Sequence, residues 1–400
     1  MRTVFTLLIA SALLGACGTA VRFPQKPEEI SLAKPYGIPG ILRFWGDDVA
    51  EDKLQFIRGE RIKQTRVKFA AEIAAGEPVS ETVLALSGGG ADGAFGAGVL
   101  AGWTARGDRP EFDVVTGVST GAIIALFAFL GPEYDDELKR FYTQYSTDQL
   151  LEPSPFAALT GGTALSDTAG YDALVDEAID EAIVDAIARE AAKGRVLLVG
   201  TTNLDFSRPM IWSVTDIAAT GHPEAAKLIR DIIRASSAIP ALFPPVLIPT
   251  VSTDGKQRDE LHVDGGATQQ VMVFSPKLPI SEVDKELGID IDRTIYLIIN
   301  NNLEKPYEPV DLGVLSIAGK AVSSLIGGSG TGDLYKIYTV AVRDDIDFRL
   351  LWVPKSFDVE AEEAFDLVYM RALYEVGHEI GLSGAPWRDA PPNFTALKSN

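Results

Sequence analysis

The chain of 400 residues contains a single cysteine, Cys17, and only three histidines, His222, His262 and His378. One cysteine excludes an intramolecular disulfide, and the sequence lacks the Cys/His clusters of a structural zinc site. Basic residues are also scarce, since 36 Lys and Arg stand against 56 Asp and Glu and leave a net charge of −20. This charge argues against nucleic-acid binding and against electrostatic adhesion to an anionic membrane.

A hydrophobic run long enough to cross a bilayer, about 20 residues, is absent from the N-terminus, where residues 4–14 form an apolar stretch. This length is typical of a signal peptide. The segment Leu14-Gly15-Ala16-Cys17 resembles the bacterial lipobox, in which a cysteine is acylated and becomes the first residue of a lipoprotein. The resemblance implies removal of residues 1–16 and a lipid anchor at Cys17. Because Gly18 is not aspartate, it also implies the outer membrane of a Gram-negative cell envelope. The alternative is an ordinary secretory signal with a chance cysteine.

The remaining chain divides by composition and periodicity. Residues 17–78 predict a tether rich in proline and glycine, followed by one or two helices. Residues 79–275 predict a catalytic domain in which strands alternate with helices, which indicates an α/β fold with a mainly parallel sheet. Residues 276–400 predict a C-terminal extension of the same body. An acidic helix is expected over residues 172–192, and the glycine-rich segment 327–332 is interpreted as a loop.

The strongest local motif is Gly117-Val118-Ser119-Thr120-Gly121, which lies between a predicted strand and a predicted helix. This is the context of a nucleophile elbow, where a strained turn exposes the serine hydroxyl. The following helix would direct its positive N-terminal end toward Ser119. A purely structural turn remains the alternative.

A second glycine-rich loop, residues 87–93, follows the preceding strand. Its spacing of Gly88, Gly90 and Gly93 matches a dinucleotide fingerprint, which requires an acidic residue at the end of the next strand. That strand ends instead in the serine elbow. The loop is therefore interpreted as an oxyanion hole whose glycine N–H groups face the same crevice as the serine, although a plain turn stays open.

The general base is sought among His222, His262, His378 and Asp264. His222 lies in a polar turn and His378 in a helical stretch, while His262 lies within a strand on the same face as Asp264. Asp264 ends that strand and precedes two glycines, which open space around its carboxylate. An ordinary aspartate has a pKa near 3.9 and is a weak base, so we expect desolvation to raise the pKa of Asp264.

Together these motifs resemble the patatin-like phospholipase family, over residues 82–274. The resemblance is supported by the segments Ala235–Pro240, Phe243–Val246 and Thr202–Leu204. It implies a three-layer α/β/α sandwich and a serine–aspartate dyad that cleaves lipid acyl esters without histidine. It also implies these roles for individual residues: Ser119 as nucleophile, Asp264 as base, and Gly88, Gly89 and Gly90 as oxyanion donors.

One position departs from the family pattern. An arginine often follows the oxyanion glycines, whereas Ala91 and Asp92 stand there, which puts recognition of an anionic headgroup in doubt. We expect no cofactor and no metal, with membrane lipid as the substrate. Two alternatives remain: an esterase of the α/β-hydrolase type with a Ser-Asp-His triad that uses His378, and a non-catalytic scaffold lipoprotein.

Overall fold

The computed structural model describes residues 21–154, 162–273, 275–304, 309–392 and 394. The predicted signal segment 1–16 and Cys17 lie outside these residues, so the lipid anchor stays a prediction. None of the described helices is both long and apolar enough to cross a membrane.

In the described part of the chain, ten strands form one mixed sheet, and two more form a short antiparallel pair. Their bounds are β1 Lys34–Pro35, β2 Arg43–Trp45, β3 Val79–Leu86, β4 Val114–Val118, β5 Glu152–Pro153, β6 Ser166–Asp167, β7 Val196–Asn203, β8 Arg208–Ser213, β9 Val246–Val251, β10 Gln257–Asp264, β11 Ile291–Ile299 and β12 Asp347–Trp352. The neighbouring strands β7-β4-β3-β11-β12 run parallel. The strands β10, β9 and β1 add an antiparallel portion beside β7, and β8 and β2 pair along the other edge of β7.

Helices cover both faces of the sheet. Their bounds are α1 Glu51–Lys68, α2 Ala70–Ala75, α3 Gly93–Arg106, α4 Thr120–Leu130, α5 Asp135–Thr143, α6 Thr147–Leu150, α7 Ala169–Ala178, α8 Glu181–Ala192, α9 Val214–Ala219, α10 Ala225–Ser236, α11 Ile280–Leu287, α12 Val314–Arg343 and α13 Leu367–Ser383.

The three layers follow from the two-residue period of a strand. In β3, Leu84 and Leu86 enter one core with α3, α4 and α13, whereas Val83 and Ala85 enter a second core with α12. Both sides of this strand are apolar because both faces of the sheet are covered. The predicted α/β class and α/β/α layering are therefore confirmed, with a parallel centre and antiparallel strands beside it.

Two local predictions differ from the structure. The helix expected over 172–192 is two helices, α7 and α8, and Asp180 begins the second by accepting the Ile183 N–H at 2.9 Å. The prediction of a loop at residues 327–332 is wrong, since these residues lie inside α12. Glycine and serine disfavour a helix intrinsically, but the packing of the second half of α12 against the sheet outweighs that preference.

The C-terminal helix α13 packs directly on α3 through glycines of both helices. A Cβ on Gly98 would lie 2.1 Å from the Tyr374 carbonyl oxygen, and one on Gly377 would lie 2.3 Å from that of Phe95. Each helix carries a second glycine four residues later, at Gly102 and Gly381. The two backbones can touch only because side chains are missing along this line.

The described part of the N-terminal segment lies against the sheet. Strand β1 pairs with β9, and β2 pairs with β8. From β2, Arg43 makes a two-pronged ion pair with Glu260 of β10, at 2.5 and 2.7 Å. Both side chains are buried, so neither charge has water as an alternative partner.

Candidate active site

A sharp turn between β4 and α4 holds Ser119. Its φ of +56° and ψ of −128° are a conformation that residues with side chains rarely adopt, so the turn is strained. Gly121 permits it, because a Cβ there would lie 2.4 Å from the Leu86 carbonyl oxygen. The result is a serine at the N-terminus of α4 and at the carboxyl edge of the parallel strands.

Ser119 meets Asp264 because β4 and β10 both pair with β7, run toward each other and end at neighbouring positions of it. Strand β4 runs parallel to β7 and ends with Val118 opposite Gly200. Strand β10 runs antiparallel to β7 and ends with Asp264 opposite Thr201, the next residue. Adjacent positions of one strand thus bring together two residues that are 145 apart in the chain.

The two side chains form a direct hydrogen bond. Ser119 Oγ donates to Asp264 Oδ2 at 2.6 Å, and the Gly266 N–H donates to Oδ1 at 2.7 Å. Ser119 and Asp264 are 5% and 4% exposed. Burial raises the pKa of Asp264 to about 6, although both hydrogen bonds oppose the rise. Such a carboxyl group is ionised at neutral pH and is a stronger base than one in water, which suits it to take a proton from serine.

Ser236, the last residue of α10, holds the backbone of the elbow. Its Oγ accepts the Ser119 N–H at 2.9 Å and donates to the Gly200 carbonyl oxygen at 2.7 Å. The contact joins α4, α10 and β7 at the dyad. The sequence singles out residues 235–240 only as a supporting segment, and no local pattern in it predicts this contact.

The predicted oxyanion residues Gly88, Gly89 and Gly90 lie beside Ser119. A Cβ on Gly88 would be 3.1 Å from the Ser119 Cβ, and Gly90 lines the same pocket as Ser119. The Gly88 N–H, however, donates to the Gln270 carbonyl oxygen at 3.1 Å. Because the Gly88 N–H is already paired, the N–H groups of Gly89 and Gly90 are the remaining candidates to donate hydrogen bonds to an oxyanion.

Gln270 is a residue of this site that sequence reasoning missed. Its side chain lies between the two glycine motifs, with Oε1 2.6 Å from the position of a Cβ on Gly88 and Nε2 2.2 Å from that of a Cβ on Gly266. Oε1 is buried and has no hydrogen-bond partner among the described residues. A buried amide oxygen without a partner is costly, so this group is available to a water or a substrate. The only signal in the sequence is its position, six residues after Asp264.

An apolar pocket opens beside Ser119. The cavity is small, about 30 Å³. Most of the lining is aliphatic or aromatic: Ile123, Phe141, Leu150, Ile239, Phe243, Phe365 and Met370. This lining suits a hydrocarbon chain. A larger apolar cavity between α1 and the sheet is lined by residues that include Phe44 and Met272, but not by Ser119.

None of the three histidines is the hydrogen-bond partner of Ser119. His262 is buried in β10 with Nδ1 2.9 Å from Thr201 Oγ1, and burial lowers its pKa, so it is neutral at pH 7. His378 packs against Gly102, which lies about 14 Å along α3 from the start of that helix. His222 lies in the turn before α10, where its Nδ1 accepts a backbone N–H.

The glycine loop ends in a carboxyl group. Asp92 accepts a hydrogen bond from the Tyr369 hydroxyl at 2.5 Å, and burial raises the pKa of Asp92 to about 6. In the part of the chain that the structure describes, no three His, Cys, Asp or Glu side chains group as a metal site would require.

Comparisons with known proteins give a match to a family model and matches to solved structures. Residues 84–277 match the family model described as patatin-like phospholipase. A comparison with curated proteins gives no match. Among the solved structures that match is the crystal structure of VipD from Legionella pneumophila, with 13% identity and a TM-score of 0.35. That match covers 77% of this chain and 67% of the VipD chain.

Proposed function

We propose that the chain is a lipid acyl hydrolase of the phospholipase A or lysophospholipase type, on the premise that residues 84–277 match the patatin-like phospholipase family model. The proposal depends on one observation, the 2.6 Å hydrogen bond from Ser119 Oγ to Asp264 Oδ2 beside an apolar pocket. In it, Ser119 is the nucleophile and Asp264 is the general base.

The first step is transfer of the acyl group to the enzyme. Asp264 takes the hydroxyl proton while Ser119 Oγ forms a bond to the ester carbonyl carbon. The carbonyl oxygen becomes an oxyanion, which the N–H groups of Gly89 and Gly90 and the N-terminus of α4 stabilise. The ester C–O bond then breaks, and the departing alcohol takes the proton from Asp264. The acyl chain stays on Ser119 and lies in the apolar pocket.

The second step is hydrolysis of the acyl-enzyme. Asp264 takes a proton from water, and the resulting hydroxide attacks the acyl carbon through a second oxyanion. When that intermediate collapses, Ser119 Oγ leaves and recovers the proton from Asp264, and a fatty acid is released. Both steps use protein groups and water, so we expect activity to survive EDTA.

The proposal includes a lipid anchor at Cys17 in the outer membrane. It is supported by the lipobox-like segment Leu14–Cys17 and by the acidic body, which has no excess of basic residues to hold an anionic bilayer. Wild-type protein produced in a Gram-negative host is expected to incorporate labelled palmitate at Cys17, and the Cys17→Ser variant to incorporate none. If the variant is labelled as the wild type is, the anchor lies elsewhere.

Product analysis tests the proposed activity. Wild-type protein and the Ser119→Ala variant are incubated with phospholipid, lysophospholipid and glyceride, and fatty acids and lyso-products are measured by mass spectrometry. We expect fatty acid release by the wild type only. Equal release by the variant, or none by either protein, contradicts the proposal, and the latter result favours a scaffold.

A second pair of variants separates the dyad from a histidine triad. We expect Asp264→Asn to abolish turnover and His378→Ala to retain it. The opposite pattern would favour the α/β-hydrolase type of esterase. His378 is a suitable control because it packs on α3, away from the elbow.

A further inference from the structure

The long helix α12 extends beyond the edge of the sheet that carries the dyad. Its second half packs on the sheet, with Leu334, Ile337 and Ala341 buried. The point where it passes the edge is fixed by Asp333, whose Oδ2 accepts the Gln270 N–H at 2.7 Å, close to the dyad. The residues of α12 up to 329, about 24 Å of helix, therefore lie past this point. We name residues 312–329 the overhang.

The overhang is apolar and open to solvent on its outer side. Leu312, Ile317 and Leu325 are 99%, 51% and 74% exposed. Its inner side borders the loops at the carboxyl edge, around Asp92 and Asn301. One residue of the overhang is charged, Lys320, although charged residues make up 23% of the chain. Large exposed apolar side chains in a segment with a single charged residue indicate a surface that meets something other than water.

A second apolar projection lies at the same edge, on the antiparallel portion of the sheet. Strand β10 passes the end of β7, and Asp259 lies about 17 Å along it from Asp264. Arg22 is paired with Asp259, and the neighbouring Phe23 is 63% exposed. We name Val21, Phe23 and Leu204 the arm end: Val21 and Leu204 are 82% and 45% exposed, and Leu204 follows the last residue of β7.

We propose that the carboxyl edge of the sheet is a membrane-contact surface, in which the overhang and the arm end enter the outer layer of a bilayer of uncharged or zwitterionic lipid. The inference rests on the proposed function, because the pocket beside Ser119 then opens toward its substrate. Lipid is the occupant that both projections fit, because they lie at the sheet edge that carries the dyad and the arm end begins four residues after Cys17. The net charge of −20 disfavours binding to an anionic bilayer. Apolar side chains can enter an uncharged bilayer without electrostatic attraction.

The helix itself offers a matched control. Val342 is 64% exposed near the opposite end of α12, on the outer side of the half that packs on the sheet. Leu325→Asp and Val342→Asp thus place the same charge on the same helix at similarly exposed positions, one in the overhang and one at the other edge. Phe23→Asp tests the arm end independently.

The experiment measures flotation of residues 17–400, the chain expected after removal of residues 1–16, with phosphatidylcholine vesicles. Cys17→Ser is present in every protein, so neither the apolar run 4–14 nor an acyl chain contributes. Hydrolysis of the vesicles and of a water-soluble short-chain ester is measured in parallel. We expect Leu325→Asp and Phe23→Asp each to lower vesicle binding about tenfold or more, and vesicle hydrolysis with it. The soluble ester should be hydrolysed at the parent rate. Val342→Asp should match the parent in all three measurements.

Equal flotation of Leu325→Asp and Val342→Asp overturns the proposal and leaves a protein partner as the occupant to seek. Binding that disappears in high salt also overturns it, because the contact would then be electrostatic. If the parent floats with vesicles but hydrolyses neither substrate, the proposed function fails while the membrane surface stands. The two inferences therefore fail separately.

Discussion

The carboxyl group of Asp264 shows at the scale of one residue how the environment sets reactivity. The apolar surroundings oppose its ionisation, while Ser119 and the Gly266 N–H favour it, and burial is the larger effect. A second residue, Ser236, fixes the strained serine backbone. The sequence identifies Ser119 and Asp264 as candidates, but the contacts of Ser236 and Gln270 depend on where distant strands end, which no spacing in the chain encodes.

The pKa of Asp264 predicts the acid limb of the pH–rate profile, in which the rate increases with pH. A general base acts when deprotonated, so kcat/KM of the free enzyme should rise with pH through about 6 and then level off. The measurement is a pH–rate profile with a soluble ester. Asp92 and Asp333 also have pKa values raised to about 6, so Asp92→Asn and Asp333→Asn serve as controls that should keep the limb. If the acid limb disappears in Asp92→Asn or Asp333→Asn, the ionisation that produces it is that of the replaced residue and not that of Asp264.

Replacing the base should separate activity from stability. We expect Asp264→Asn to lower kcat/KM by about 10²–10⁴-fold or more. Because the folded pKa is raised from 3.8 to about 6, ionising Asp264 destabilises the fold progressively between these pH values, by about 3 kcal/mol in total. Asparagine cannot ionise, so the Tm of the variant relative to wild type should rise from pH 4 to pH 7. A constant difference would show that Asp264 is not desolvated as described.

At the scale of elements, the two glycine pairs between α3 and α13 connect the C-terminal segment to the catalytic body. Helix α13 also supplies Met370 to the pocket beside Ser119. The period-2 and helix-like patterns predict most elements, because apolar faces are repeated along them. They do not predict that glycines in two distant helices face each other, nor that α12 continues through residues 327–332, since both follow from tertiary packing.

The glycine contact predicts a position-specific loss of stability. Gly98→Ala would place a Cβ 2.1 Å from the Tyr374 carbonyl oxygen, so the helices must separate. We expect a loss of about 1–3 kcal/mol or more in the free energy of unfolding, measured by chemical denaturation. Gly59→Ala in α1 is the matched control: no atom lies within 4 Å of its Cβ position, and it should gain about 0.5–1 kcal/mol. Equal effects would mean that α3 and α13 do not touch there.

At the scale of the whole molecule, the chain combines an acidic body with apolar projections at one edge. The net charge of −20 is visible in the sequence, and so is the candidate anchor at Cys17. The sequence does not show that the overhang and the arm end lie at the sheet edge that carries the dyad. Their position depends on the direction of α12 and on the extension of β10 past β7. A largely apolar contact surface on an acidic body accounts for how such a protein would reach lipid without an excess of basic residues.

The most direct measurement is covalent labelling of the nucleophile. Full-length protein is exposed to a fluorophosphonate, and the adduct is followed by intact-protein and peptide mass spectrometry. We predict a single adduct on Ser119, none in Ser119→Ala, and labelling of Asp264→Asn slowed by about 10²-fold or more. Labelling at another residue, no labelling of the wild type, or an unchanged rate in Asp264→Asn would contradict a Ser119–Asp264 dyad.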